Sequence, residues 1–451
     1  MLKTSKNIFS LTLALVMCLA VAATAYANPF DNGVLSGTEA EPAMAAINKT
    51  LQLPIGTITP NVQFIFEVKG ISVDGAAPDN MPIIGTPVGT SAPTTGTVTI
   101  DAFTNADTGS IVGDVKNVIW ESDNIFDLMP SFFIAAGVYV YEFTERPNSN
   151  PTIDDNNNIN ESLTYSQGKY TMTIVVMNGV NGLYIGSIVT VINETDHTGQ
   201  SQDAKVDPTP ETERNETTHP LAPNSELVFT NTYVKQNGNV DPDDPDPLTE
   251  ATLGVNKEVT GALGNKESYF EFNVTVRNNS LITDRSSYNA YIVEDGAATI
   301  SAADMADTAK NNVTSSGTDL NGNAYITFTV ATAKTIFLKH NQNLVFIDTP
   351  VGTYYDAEEI SPTGYVPSYV IKTNNVEAAR VTGTAGTTLA ANNNLVGELE
   401  NEAAFRNNRD FTAPTGLKVN DLPFVGMLLL AAGAFAAFIV TKTRRMKRVN
   451  H

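Results

Sequence analysis

Apolar and polar side chains alternate with a two-residue period in segment after segment of this chain. FIFEV (64–68), VYVYEF (138–143), YTMTIVV (170–176), ELVFTNTY (226–233), YFEFNVTV (269–276), YITFTV (325–330) and LVFIDTPVGTYY (344–355) all carry it, with β-branched and aromatic residues enriched. That period puts successive side chains on opposite faces of a strand. Between residues 30 and 410 no stretch sustains a 3.6-residue period over three turns, and only AADMADTAKN (302–311) has room for a short helix. Many strands separated by Asn, Gly, Asp and Pro clusters predict an all-β protein built of sandwiches.

The two ends of the 451-residue chain read differently. Residues 1–27 open with Lys3 and Lys6, continue through a long apolar run and end Ala25-Tyr26-Ala27, the order of a secretory signal peptide. The only cysteine, Cys18, lies inside that run, so the mature protein has no thiol and must stabilise an exported fold without disulfides. Near the other end, LPFVGMLLLAAGAFAAFIV (422–440) is long and apolar enough to cross a bilayer, and Lys442, Arg444, Arg445, Lys447 and Arg448 should hold its far side in the cytoplasm. Setting aside residues 1–27 and everything after Thr415 removes eight of 27 basic residues and one of 49 acidic ones, leaving about −29 on the exported part. Such a surface repels nucleic acid and anionic lipid.

NGNVDPDDPDPLTE (237–250) divides what remains, and its prolines and like charges predict an extended spacer with independent halves on either side. The expected divisions are residues 28–235, a linker at 236–250, residues 251–410, and a terminal region at 411–451. DPDDPDP and IDDNNNINE (153–161) offer carboxylates to a calcium ion, but neither has the ligand spacing of a known loop, and both are read as exposed spacers. The four histidines are scattered, no activated serine is evident, and no metal-ligand spacing occurs. No cofactor is called for, and an enzyme acting on external substrates is not expected.

Each half contains one anomaly, a lysine on an apolar strand face. In INKTLQL (47–53) Lys49 shares a face with Ile47, Leu51 and Leu53; in LGVNKEV (253–259) Lys257 shares one with Leu253, Val255 and Val259. A lone ammonium there is unfavourable. Each half later places a glutamate and an asparagine on apolar faces in the same order. Glu145 follows Tyr139, Tyr141 and Phe143, and Asn231 lies between Phe229 and Tyr233. Glu359 follows Tyr355 and Ala357, and Asn407 follows Ala403 and Phe405. Buried polar groups in one small core should meet. Desolvation favours a neutral amine beside a carboxylic acid, and that amine can attack the asparagine carbonyl while the acid shuttles protons and ammonia leaves. The product is an isopeptide bond joining the first and last strands of its half. The competing reading is a pair of snorkelling or structurally ion-paired lysines. In the second half Asn401 and Asn408 compete with Asn407, and Glu358 with Glu359.

These stretches resemble the streptococcal pilin isopeptide-linkage domain of Gram-positive surface pilins. NKTLQ, AAGVYVYEFTE and ELVFTNTYV carry the resemblance in the first half. In the second it rests on GVNKEVTGALGNKESYFEFNVTV, NLVFIDTPVGTYYDAEEISPTGY and AAFRNNRD, which are also similar to the related domain that precedes cell-wall anchors. The resemblance implies immunoglobulin-like β-sandwiches, with Lys49 and Lys257 as amines, Asn231 and Asn407 as amides and Glu145 and Glu359 as proton shuttles. FTAPTGLKVNDLPF before the apolar helix resembles a sortase signal cleaved between Thr415 and Gly416, although Ala413 departs from the usual leucine spacing; LPFVG (422–426) is the alternative. The resemblance as a whole implies a pilin or stalk subunit on the cell wall, with sortase and peptidoglycan or neighbouring pilin subunits as partners. The alternative is a wall-displayed adhesin with a host-surface ligand. Polymerisation would need an exposed lysine, Lys205 or Lys235.

Overall fold

The computed structural model describes residues 30–410 and 421–449, apart from residues 80, 91, 152, 154–160, 197–199, 211–225 and 238–245. The signal peptide with Cys18, the Pro-Thr-Gly segment with Thr415 and Gly416, and both acidic stretches weighed for calcium fall wholly or mostly outside the described residues.

The alternating segments form strands, and the strands form two pairs of facing sheets. Strands between Phe30 and Lys235 build a nine-stranded and a five-stranded sheet; strands between Leu253 and Asn408 build a ten-stranded and a four-stranded sheet. Each pair encloses its own core. Leu51, Phe64, Phe66, Tyr141, Tyr170 and Phe229 are central to the first, and Val255, Phe272, Ile326, Phe346, Tyr355 and Phe405 to the second. The fold is therefore all-β, in sandwiches, and the described residues add a short helix at Ala302–Ala306 and an apolar helix at Asp421–Val449. Within that last helix, Gly426–Arg445 is long and apolar enough to cross a membrane.

The strand order is the same around both sites. In the first pair, the lysine strand Asn48–Pro54 lies beside the asparagine strand Val228–Lys235, and the two run parallel. In the second, Leu253–Thr260 lies parallel beside Glu402–Asn408. Each glutamate strand, Gly137–Asn150 or Tyr354–Glu359, belongs to the facing sheet. Parallel neighbours require a long crossover, which here is most of the sandwich itself.

Four expectations are corrected. LVFIDTPVGTYY is two strands, Gln342–Phe346 and one beginning at Tyr354, because Pro350 and Gly352 break the run. Gly352 has φ +87° and sits where a side chain would collide with Pro54, so only glycine fits this contact between the halves. The linker is not a free spacer at its described ends: Asn237 is buried and its amide donates to the carbonyls of Thr252 and Leu399, while Asp246 caps a turn through Leu248 and Thr249.

Nor are the halves independent. Asp114 of the first accepts from the Ser280 N–H (2.7 Å) and hydroxyl (2.6 Å), and its carbonyl accepts from the Asn279 amide (2.6 Å). Glu398 of the second accepts from the Ile58 N–H at 2.7 Å and pairs with Lys235 at 3.3 Å. Lys235, expected to be exposed, is half-buried between Glu398 and Glu161.

Strands without clean alternation escaped the sequence reading. Leu183–Glu194 has six successive buried residues and Ser287–Glu294 four, because both of their faces are covered. Such runs lose the period-two signal. Glu398→Ala should weaken the joint between the sandwiches by about 1–2 kcal/mol, since it removes a charged acceptor from a backbone N–H and a lysine. Small-angle scattering should then show a broader distribution of shapes; an unchanged profile would mean these contacts do not hold the joint.

Candidate functional site

Lys49 is fully buried, and its Nζ lies 2.6 Å from Glu145 Oε2. The Asn231 side-chain amide donates to the other oxygen, Oε1, at 2.7 Å. In the second sandwich Lys257, also fully buried, donates to Glu359 Oε1 at 2.5 Å, and the Asn407 amide donates to the same oxygen at 2.7 Å. Each glutamate thus bridges a lysine and an asparagine that sit on adjacent strands of the opposite sheet.

Register produces this meeting twice. Lys49 stands opposite Phe229 and Leu51 opposite Asn231; Lys257 stands opposite Phe405 and Val259 opposite Asn407. The asparagine is therefore one pleat beyond the lysine on the same face in both cases. Within the facing sheet, Glu145 is paired with Phe66 on the neighbouring strand and Glu359 with Phe272. The rings of Phe66 and Phe229 lie 5.0 Å apart, and those of Phe272 and Phe405 lie 5.2 Å apart, so an aromatic pair spaces the sheets beside each site. A second ring from the same strand, Phe64 or Phe270, sits under each lysine Nζ at 4.7 or 4.5 Å.

The competing residues are placed elsewhere. Asn408 is half-buried and engages Thr260 and Asp410, and Asn401 is buried but holds the backbone of Thr252, Gly397 and Leu399. Glu358 points away from the core, opposite Asn273 on the outer face. Lys205 is exposed and reaches the Asn32 carbonyl at 3.4 Å. His340 accepts from the Val259 N–H, whereas His197, His219 and His451 lie outside the described residues. Among the described residues no three His, Cys, Asp or Glu side chains come together to hold a metal.

Electrostatics follow from the burial. Desolvation draws the Lys49 amine down to about 8 against the partly offsetting attraction of Glu145, and Lys257 beside Glu359 is drawn to about 8 in the same way. Burial also pushes both carboxyls up, opposed by the lysines. The two groups of each pair are thus shifted toward a shared proton. A lysine so lowered is neutral in a larger share of molecules at pH 7 than an ordinary surface amine.

Two participants carried no signal in the alternation. The Ser166 N–H donates to Asn231 Oδ1 at 2.7 Å from a loop, and Asp196 lies close enough to act on both Lys49 and Glu145. Neither belongs to a periodic segment, so neither could be found by face counting. Asn407 Oδ1 has no corresponding donor among the described residues.

The chain is thus a tandem β-sandwich protein with a buried Lys–Glu–Asn cluster in each sandwich. Residues 251–408 match the family described as a domain of unknown function (DUF7601). No curated protein matches the chain. Among solved structures it is similar to a major pilin from Streptococcus pyogenes, with 16% identity over 82% of this chain and all of that one at a TM-score of 0.31. It is also similar to the major pilin T3.2 of that organism, with 16% identity over 84% of this chain and all of the pilin at a TM-score of 0.29. A pilus-presented adhesin shares 16% identity over 54% of this chain and 36% of its own, at a TM-score of 0.21.

An Asn231→Ala chain keeps the Lys49–Glu145 pair but removes the amide that Glu145 also binds. Its Lys49 should titrate near pH 8, as read by heteronuclear NMR of labelled lysine. Because the folded value lies below the ordinary 10.5, the group's contribution to stability is complete above pH 10.5 and is lost as pH falls through about 8. Titration at the ordinary lysine value would contradict the desolvated site.

Proposed function

We propose that the chain is a structural subunit of the cell surface, a pilin or stalk protein, hardened by two internal Lys–Asn isopeptide bonds and attached to the wall by a sortase. The observation that carries the reading is one buried Lys–Glu–Asn arrangement occurring in the same register in two separate sandwiches. A single buried ion pair is ordinarily a structural feature. Two pairs, each bridged to an amide on the neighbouring strand, have the parts of an acyl-transfer site: amine, carbonyl and proton shuttle.

The step balances without a cofactor. A proton passes from the lysine ammonium to the glutamate, and the neutral Nζ attacks Cγ of the asparagine. The second amine proton is relayed through the carboxyl to Nδ2, the Cγ–Nδ2 bond breaks, and ammonia leaves. An amide remains where a buried charge pair stood, and the glutamate stays protonated. Lys49 to Asn231 spans about 180 residues and Lys257 to Asn407 about 150, so each closure removes about 5 kcal/mol of unfolded-state entropy in the chain-entropy account.

The apolar helix and the basic residues that follow it support an anchored precursor. Sortase would acylate Thr415 at its carbonyl, releasing Gly416 onward, and pass the chain to an amine of the peptidoglycan or of another subunit. For joining subunits, exposed Lys205 is the better placed amine, since Lys235 is engaged between two glutamates.

Asn231→Ala should destabilise the first sandwich by about 5 kcal/mol. Trp120, the chain's only tryptophan, pairs with Lys49 across the strands and reports unfolding in denaturant. A loss near 1 kcal/mol, roughly that of an ordinary hydrogen bond, would favour a purely structural triad. Thr415→Ala should leave the protein in the membrane fraction; release with wall fragments by muramidase at the unsubstituted yield would show Thr415 is not the attachment point.

A further inference from the structure

The two sites differ at the oxygen on which negative charge would build. Asn231 Oδ1 already accepts from the Ser166 N–H, while Asn407 Oδ1 is buried without a donor among the described residues. The Ser166 loop is held in place. Its hydroxyl donates to Asp196 Oδ2 in a short hydrogen bond and also accepts from the Gly168 N–H at 3.0 Å. The same Asp196 oxygen accepts from the Thr230 N–H at 2.8 Å, on the residue immediately before Asn231. Asp196 is steadied in turn by Gln200, whose amide donates to Tyr170 Oη at 2.6 Å. One carboxylate therefore ties the donor loop to the asparagine strand, fixing the Ser166 N–H over the amide oxygen.

We infer that Asp196 is a positioning residue for a one-donor oxyanion hole, formed by the Ser166 N–H, that makes the Lys49–Asn231 bond close faster than the Lys257–Asn407 bond. The inference rests on the isopeptide reading. When Lys49 Nζ adds to Cγ, the carbonyl electron pair moves onto Oδ1, where the N–H receives it; the pair returns as Cγ–Nδ2 breaks and ammonia departs. A preorganised donor of this kind is worth roughly 10²–10³ in rate where its loss has been measured, and works because it needs no rearrangement as charge develops. In the second sandwich no described residue supplies such a donor to Asn407 Oδ1.

Full-length chain recovered linear in urea can be refolded by dilution into detergent micelles, quenched at intervals, digested, and assayed by mass spectrometry for each cross-linked peptide. The Lys49–Asn231 peptide should appear at least about tenfold sooner than the Lys257–Asn407 peptide. Asp196→Ala should slow the first bond by a similar factor and leave the second unchanged, which serves as an internal control for refolding. Asp196→Asn retains an acceptor for Ser166 and Thr230 and should restore the rate to within a few-fold, an outcome that simple loss of charge does not give. Equal rates in the unsubstituted chain, or an Asp196→Ala rate equal to it, would overturn the inference while leaving both bonds intact. Absence of both cross-linked peptides at the end of the reaction would remove the isopeptide reading along with it. If Asp196→Ala fails to fold its sandwich, Ser166→Ala, which frees the loop but keeps the N–H, should show the same selective slowing, and no slowing there would also overturn it.

Discussion

Each sandwich buries a lysine ammonium on the core side of a strand, Lys49 in one and Lys257 in the other. With no water beside it, the charge can be tolerated only if a carboxylate reaches it or the proton leaves. Both sandwiches supply the carboxylate from the opposite sheet, so the strand order and the offset between sheets must place Glu145 over Lys49 and Glu359 over Lys257. The aromatic pairs Phe66–Phe229 and Phe272–Phe405 stand next to these contacts and set the spacing that allows them.

Burial that is unfavourable for a charge pair is favourable for amide formation. The desolvation that brings lysine and glutamate toward a shared proton also removes the water that would stabilise the ions, and the proposed neutral amide would relieve that cost. The topology makes the consequence large. Lys49 and Asn231, like Lys257 and Asn407, lie on parallel neighbouring strands near the two ends of their half, so the proposed bond would close nearly the whole sandwich. A chain whose only cysteine falls in its first 27 residues has no disulfide route to the same end. The joint between sandwiches uses non-covalent contacts, Asp114 with Ser280 and Glu398 with Ile58 and Lys235.

Much of this was legible in the residues because a strand exposes its two faces to plain counting. Lys49, Glu145, Asn231 and their counterparts stand out as polar interruptions of apolar faces, and the alternation alone places them on the inside. Counting could not decide register: Glu358 and Glu359 differ only in which face they take, and the pairing of Glu359 with Phe272 places it inward. Loop contributors left no periodic trace, so Ser166 and Asp196 emerged only from the three-dimensional contacts. Strands covered on both sides, such as Leu183–Glu194, lost their signal for the opposite reason, since every residue there is free to be apolar. The Asp/Pro run misled because local stiffness says nothing of what its ends bind; Asn237 is fixed by the carbonyls of the second half.

Each proposed isopeptide bond expels one ammonia, so an intact mass reports it. The mature chain, purified and measured intact under denaturing conditions, should weigh less than its sequence by two ammonias, and replacing either Lys49 or Lys257 should leave a deficit of one. Glu145→Gln or Glu359→Gln should likewise halve the deficit although every reacting atom is still present, because the amine then has no base to take its proton. A mass equal to that of the sequence would contradict the account for both sandwiches and leave Lys49 and Lys257 as ordinary buried ion pairs.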